Sequence, residues 1–383
     1  MLQLVAAEID VFRRHLMSLA AEIPDLQVIE MAEDVFLIRP RDFDTRSTQL
    51  ESLQKSVALS LGALIHGNEW GSLWVINLLL EKIRRKTVRL DVPLGLFLGN
   101  TRAALQGQRF LDCDLNRSFF LQPSQDRPNH QEEQRAREIA TLLEKTLFFV
   151  DFHQTIQKTK SSFFIFGYRA PAITFARLIH PYLPIVTHWG TKFSATGLCS
   201  DEFVNSRGGL GITMEIGAIA QDYDPMQAAL GFQCALTALE YASHHVAQNS
   251  PSVTALLHAQ TFGLSNTPTP TKDNGNLYTW SHIEPWPLSD GTIVDLQPGL
   301  INFADLTEGQ EYGRRGNQPI KAPCSGKVLF PKYLSPSEQR DLAARGQLPR
   351  ELIRFLKPIT LDDLPPDLNS SSELCNPAKK PKL

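Results

Sequence analysis

The residues best suited to do chemistry in this chain are His66 and Glu69, three apart in Ala63-Leu64-Ile65-His66-Gly67-Asn68-Glu69-Trp70, where an apolar run gives way to a helix-like one. A borderline cation such as zinc takes neutral imidazole and carboxylate ligands, and a strand end followed by a Gly turn can aim both at one point. Taken alone, the spacing fits equally a His that closes a strand and a Glu that opens a helix, because acidic side chains favour a first helical turn. A second apolar run, Leu147 to Phe152, also delivers a histidine, His153, at its carboxyl end. Ligands collect at the carboxyl ends of strands in open α/β sheets, so two such strands describe one site. Two His and one Glu form a three-ligand zinc set with a fourth position left for water, which is a catalytic arrangement. A closed structural site would take four protein ligands, and no Cys-x-x-Cys pair exists here.

The polar pieces around this set have complementary chemistry. The stretch Asn100 to Phe120 follows the apolar run Leu94 to Leu98 and holds Arg102, Arg109, Asn116 and Arg117. A guanidinium fork binds carboxylate in bidentate fashion, so the stretch reads either as an anion-recognising loop or as a salt-bridged surface loop. Farther on, Gly211-Ile212-Thr213-Met214-Glu215-Ile216-Gly217 places one acid in an otherwise apolar strand. A carboxylate there is costly unless paired or employed, and near a metal site it is suited to act as a general base.

Taken together, His66-Gly67-Asn68-Glu69, the loop ending Asp112-Cys113-Asp114-Leu115-Asn116-Arg117, Asp151-Phe152-His153 and Thr213-Met214-Glu215-Ile216-Gly217 resemble, in order and spacing, the succinylglutamate desuccinylase and aspartoacylase family, itself related to zinc carboxypeptidases. The resemblance covers roughly the first two-thirds of the chain. It implies an α/β fold, a zinc carboxypeptidase-like mixed sheet flanked by helices with a smaller C-terminal mainly-β domain. It implies one zinc per chain on His66, Glu69 and His153, Glu215 as general base, Arg109 polarising the scissile carbonyl, and Asn116 with Arg117 holding a substrate carboxylate. Arg207 and Tyr333 stand where the family carries a further carboxylate-binding arginine and a substrate-facing tyrosine, on looser alignment. The chain departs from the family after the third ligand, with Gln154-Thr155 in place of Asn-Thr or Thr-Ala. The implied activity is hydrolysis of the amide of a small anionic N-acyl amino acid. Two alternatives are a zinc carboxypeptidase acting on a peptide or cell-wall fragment, and a non-catalytic relative that binds a small anion. Asp151 shares a strand face with His153 and is a candidate to orient that imidazole, as is a backbone carbonyl.

Those residues need a scaffold, and the periodicities supply one. Leu26 to Arg39 reads as a hairpin, Val57 to Ile65, Leu94 to Leu98, Phe148 to His153 and Phe163 to Tyr168 as strands. Met1 to Ile23, Leu73 to Ile83, Glu132 to Lys145, Pro171 to Leu183 and Asp224 to His245 read as helices, and Thr191 to Gly209 as a loop at the site. The catalytic domain is expected over residues 1–250, with a boundary at 249–270. A mainly-β domain is expected over 271–357, punctuated by Asp290-Gly291, Pro298-Gly299, Glu308-Gly309 and Ser325-Gly326, and closed by a helix over Ser335 to Leu356. Residues 358–383 read as a disordered tail.

A net charge of −3 on 383 residues provides no basic field for nucleic acid. Five dispersed cysteines fit a reducing compartment, and no run reaches the ~20 apolar residues of a membrane span. A cytoplasmic enzyme is therefore expected, with a homo-oligomer left open. His180 and His188 flank a Pro-containing turn and His244 and His245 end a helix, so all four read as structural or surface residues and not as ligands.

Overall fold

The computed structural model describes residues 2–44, 49–120, 130–189, 197–220, 222–247, 276–287, 291–346 and 348–365. The expected boundary at 249–270 and most of the expected tail lie outside them. Helix α1 (Leu2–Glu22) buries Val5, Ile9, Phe12, Leu16 and Leu19, the three- and four-residue spacing of one helical face. The hairpin of β1 (Leu26–Ala32) and β2 (Val35–Pro40) follows, turning through Asp34 at φ 54°. A short helix α2 (Gln49–Ser52) leads to β3 (Val57–Ala63), then α3 (Gly71–Arg84), β4 (Leu94–Leu98), α4 (Thr101–Ala104) and α5 (Gln131–Leu143). Next come β5 (Thr146–Thr155), β6 (Phe163–Gly167), α6 (Ala170–Ile179), β7 (Ile185–His188), α7 (Ser200–Ser206), β8 (Leu210–Ala218) and α8 (Pro225–Ala247).

Every residue of β3, β4 and β5 is buried, because helices cover both faces, and these strands read as continuous apolar runs instead of alternating ones. β3, β4, β5 and β8 run parallel, with Gly62 opposite Asp151 and His153 opposite Glu215. The ends of β3 and β5 that lead to the candidate ligands thus lie beside the part of β8 that carries Glu215. Phe148, fully buried on β5, meets Phe175 of α6 and Tyr241 and His245 of α8 at ring separations of 5.1–5.2 Å.

The later elements are β9 (Leu277–Pro285), β10 (Val294–Leu296), β11 (Asp305–Leu306), β12 (Glu311–Arg315), β13 (Gln318–Lys321), β14 (Gly326–Leu329), α9 (Pro336–Ala344) and β15 (Glu351–Pro358). The large sheet does not stop at the catalytic strands. Among the described residues its order is β1-β2-β4-β3-β5-β8-β6-β7-β9-β15-β14-β11, twelve strands, while β10, β12 and β13 form a small separate sheet.

Two sequence expectations change. The helix expected over Ser335 to Leu356 ends at Ala344, and Gly346 turns at φ 65°. Glu351 to Pro358 is instead a strand inserted between β9 and β14, buried on both faces through Leu352, Ile353, Phe355 and Leu356, so it shows no alternation to distinguish it from a helix. The loop expected over Thr191 to Gly209 contains α7, opened by the Glu202 carboxylate accepting from the Cys199 backbone N–H. Among the described residues no helix is long and apolar enough to cross a membrane.

Because Phe148 joins three elements, Phe148→Ala should cost about 3–5 kcal/mol of stability, read as a lower urea midpoint with an unchanged slope.

Candidate metal centre and its cavity

After β3 the chain passes through Leu64 at φ 56°, a left-handed conformation unusual for a branched buried residue and a mark of local strain. That turn sends His66 back over the sheet end. Gly67 follows, and its N–H donates to the Arg109 carbonyl at 2.9 Å. A Cβ at Gly67 would lie 2.4 Å from the Ala104 nitrogen and 2.6 Å from the Gln108 carbonyl, so only glycine lets the two loops approach.

Glu69 is the hub. Its Oε1 lies 2.7 Å from His66 Nδ1 and accepts from Arg109 Nη1 at 2.8 Å. Its Oε2 lies 2.8 Å from His153 Nδ1 and accepts from the Gln154 backbone N–H at 3.1 Å. The far ring nitrogens face carboxylates: His66 Nε2 is 3.0 Å from Asp114 Oδ1, and His153 Nε2 is 3.0 Å from Asp151 Oδ2. Asp151 also accepts from the Ser200 hydroxyl. Of the two partners expected for His153, the Asp151 carboxylate is the one that approaches Nε2, though that contact lacks hydrogen-bond alignment. Burial alone would raise the Glu69 pKa, but the imidazoles of His66 and His153 outweigh it and hold the carboxyl well below the usual range. For His153 burial works downward, and Asp151 and Glu69 overcome it and raise its pKa well above the ordinary value.

Ligand atoms of His66, Glu69 and His153 all lie within 4.8 Å of one another, and all three residues are buried. His66 Nδ1 is a buried nitrogen whose short contact with Glu69 lacks hydrogen-bond alignment. Two imidazoles converging on a carboxylate, with carboxylates behind them, match the donor set and orienting groups of a zinc site. The residues fit the metal.

Glu215 is 8 % exposed, and its Oε2 is buried without a hydrogen-bond partner. Burial, then the Glu69 carboxylate, push its pKa up to about 8, with His153 and Arg109 opposing. It lines a cavity of about 480 Å³ together with His66, Glu69, His153, Arg109, Asn116 and Arg117. Asn116 Oδ1 accepts from the Ser200 N–H at 3.0 Å, and Arg117 Nη1 donates to the Asn116 carbonyl at 2.6 Å and to Cys199 Sγ at 3.1 Å.

Two expected residues stand differently. Arg207 follows α7 and precedes β8, so it lies beside the amino end of the strand that carries Glu215 at its other end, about 17 Å along at 3.3 Å per residue. It pairs with Glu144 at 3.2 Å, lies over the Phe203 ring, and is not part of the cavity wall. Tyr333 does border the cavity, but its hydroxyl donates to the Gln297 carbonyl at 2.6 Å and accepts from the Leu300 N–H at 2.9 Å. Arg102 is exposed and faces Glu33 at 3.7 Å.

Other residues at the site gave little sign in the sequence. His188 ends β7, lines the cavity and stacks on Trp280 at 5.5 Å, where a structural or surface role was expected. Gln154, the family departure, accepts from the Gly71 N–H at 2.7 Å and donates to the Ala218 carbonyl and Gln227 Oε1, tying α3, β8 and α8 together. Glu132, 1 % exposed, accepts from Asn100 Nδ2 and from the backbone N–H groups of Leu111, Asp112 and Cys113 at 2.6–3.2 Å. It fixes the loop that presents Arg109 and Asp114. Its sequence signal was an acid in a first helical turn, indistinguishable from a solvated one.

Buried His and Glu donors at the carboxyl ends of parallel strands, in a mixed sheet flanked by helices, define a zinc carboxypeptidase-like α/β fold with a candidate metal centre. Residues 54–241, just under half of the chain, match the succinylglutamate desuccinylase/aspartoacylase catalytic domain. A protein named probable aspartoacylase from Prochlorococcus marinus subsp. pastoris is 32 % identical over 171 residues, 42 % of this chain and 53 % of the relative. Another of that name, from Prochlorococcus marinus strain MIT 9313, is 29 % identical over 199 residues, 49 % of this chain and 62 % of the relative. The matches thus span a little over half the length of these relatives. The solved succinylglutamate desuccinylase of Vibrio cholerae shares the fold at a TM-score of 0.58 and 15 % identity, covering 90 % of this chain and 94 % of that one. Murine aminoacylase 3 does so at a TM-score of 0.52 and 15 % identity, covering 80 % and 97 %.

Two measurements test the site. Purified protein should carry about one zinc per chain and His153→Ala should lose most of it; full occupancy in a folded His153→Ala variant by elemental analysis removes that residue from the ligand set. Glu132→Gln, with one acceptor oxygen in place of a carboxylate, should lower stability by about 1.5–3 kcal/mol in urea titration, and no loss would show that the loop holds its shape without Glu132.

Proposed function

We propose that this chain is a zinc-dependent hydrolase of the amide bond in a small N-acyl amino acid. The observation that carries the reading is a buried carboxylate without a hydrogen-bond partner on one oxygen, Glu215, placed in register with His153 on the wall of a cavity that also holds Arg109, Asn116 and Arg117. His66, Glu69 and His153 would hold the metal, which when bound lowers the pKa of water and polarises a carbonyl.

The chain's own groups account for the remaining requirements. Glu215, its pKa raised by burial, accepts the proton of the attacking water and delivers it to the leaving nitrogen. A nearby cation opposes that rise, which keeps the carboxylate available as a base. Arg109, partly exposed and bonded to Glu69, presents its guanidinium to the cavity, where charge developing on the carbonyl oxygen is stabilised by a preset donor. Arg117 brings a planar fork, the geometry that selects a carboxylate. The relatives named aspartoacylase and succinylglutamate desuccinylase support an acylated acidic amino acid as the substrate class.

Glu215→Gln is nearly isosteric and separates chemistry from binding. Zinc content and substrate affinity should persist while turnover of N-acetyl-L-aspartate or N-succinyl-L-glutamate falls by roughly 10²-fold or more. Normal turnover in that variant would place the base elsewhere, and a wild-type protein inactive on a panel of N-acyl amino acids would end the deacylase reading.

A further inference from the structure

We infer that Lys332, delivered by the C-terminal strands, is the residue that binds a second carboxylate of the substrate and so sets the preference for dianionic over monoanionic N-acyl amino acids. The inference rests on the deacylase reading and deepens it. With Arg207 outside the cavity, none of the residues expected from the sequence is left to meet the second anion among the described residues.

Among the described residues the cavity wall contains four cationic side chains, Arg109, Arg117, Arg354 and Lys332. Three of them have protein partners. Arg109 donates to Glu69, Arg117 to the Asn116 carbonyl and Cys199, and Arg354 holds the Glu351 carboxylate with Nε at 2.9 Å and Nη2 at 2.8 Å while lying over the Trp280 ring. Lys332 differs. Among the described residues its ammonium has no hydrogen-bond or ion-pair partner, and its contact is the Phe330 ring, 5.6 Å from the nitrogen to the ring centroid. Glu351 acts on this ammonium only at longer range and is itself held by Arg354, so the half-buried charge is under-compensated, and a carboxylate is the chemistry that would satisfy it.

The backbone holds Lys332 in place. Phe330, the residue after β14, is left-handed at φ 53°, and its N–H donates to the side-chain oxygen of fully buried Asn302 at 2.7 Å. Two residues on, the Lys332 N–H donates to the Leu352 carbonyl of β15 at 3.0 Å. A strained, doubly anchored turn that sets one lysine on a cavity wall is the expected form of a preorganised binding group. Burial lowers the Lys332 pKa to about 8, with Glu351 opposing and the guanidinium groups of Arg109, Arg354 and Arg117 adding to the fall. An anion beside it would restore the charged form.

The second carboxylate belongs either to the acyl arm or to the amino-acid side chain, and paired ligands separate the two. Calorimetry on zinc-loaded Glu215→Gln protein would compare N-acetyl-L-aspartate with N-acetyl-L-asparagine, and N-succinyl-L-alanine with its terminal carboxamide. Each pair differs by one charge. The parent should prefer the dianion in one pair, which identifies the arm. Adding Lys332→Met should cut that preference about 10- to 100-fold, the worth of one charge-assisted hydrogen bond, and Lys332→Arg should recover part of it. Retained zinc and an unchanged near-ultraviolet circular dichroism spectrum show that the variants are folded. An undiminished preference in Lys332→Met overturns the assignment, as does equal loss of both members of a pair, or a parent that binds neither pair or does not discriminate. Wild-type hydrolysis of the same ligands is read separately, so absence of turnover alongside a Lys332-dependent preference counts against the deacylase reading and not against the binding group.

Discussion

The structure is organised around a carboxylate taken out of water. Glu69 is buried at the centre of the sheet's carboxyl edge and touches two imidazoles, a guanidinium and a backbone N–H. A lone carboxylate in that position would neutralise itself by binding a proton. It remains charged because each neighbour is a cation or a donor, and the four neighbours come from three parts of the chain: the turn after β3, the loop before Asp114, and the end of β5. The positions of these three segments are therefore coupled. A carboxylate with so many obligations tolerates little displacement of any partner, which explains the strained Leu64 and the glycine at 67 beside it.

The outer contacts repeat the same logic one layer away. Asp114 and Asp151 face the far nitrogens of the two imidazoles, Ser200 bonds to Asp151, and Glu132 gathers the donors of the loop that ends in Asp114. Gln154 ties the start of α3 to β8 and α8. Asp114 and Gln154 border the cavity, whereas Asp151, Ser200 and Glu132 lie behind its wall. They set the ring orientation and the loop shape on which a metal centre depends.

What the sequence disclosed follows from how local each signal is. His66 and Glu69 sit on one turn, and His153 and Glu215 each end or interrupt an apolar strand, so strand patterning alone brought them to one edge. Arg207 was expected at the site on a loose family alignment, and such an alignment does not reveal which end of a strand a residue lies beside. Glu132, His188 and Lys332 were hidden for a different reason: an acid in a first helical turn, a histidine after an apolar run and a lysine between proline and tyrosine are ordinary until long-range pairing places them. The strand at Glu351 to Pro358 was misread as helix because burial on both faces erases alternation, the signal that separates the two.

The insertion of β15 between β9 and β14 has a consequence for the order in which a ribosome-bound chain acquires its parts. The ligand set and Glu215 are complete once β8 has been made, yet β7 then presents an open edge that β9 covers only after a long intervening stretch, and β9 in turn waits for β15. Until then the nascent protein exposes unpaired N–H and C=O groups along apolar strands, the condition under which sheets recruit the wrong partner. Among the described residues β15 is the last strand to emerge, and it thus also closes a seam that would otherwise be sticky, while the wall that carries Arg354 and anchors Lys332 reaches its place at the same moment.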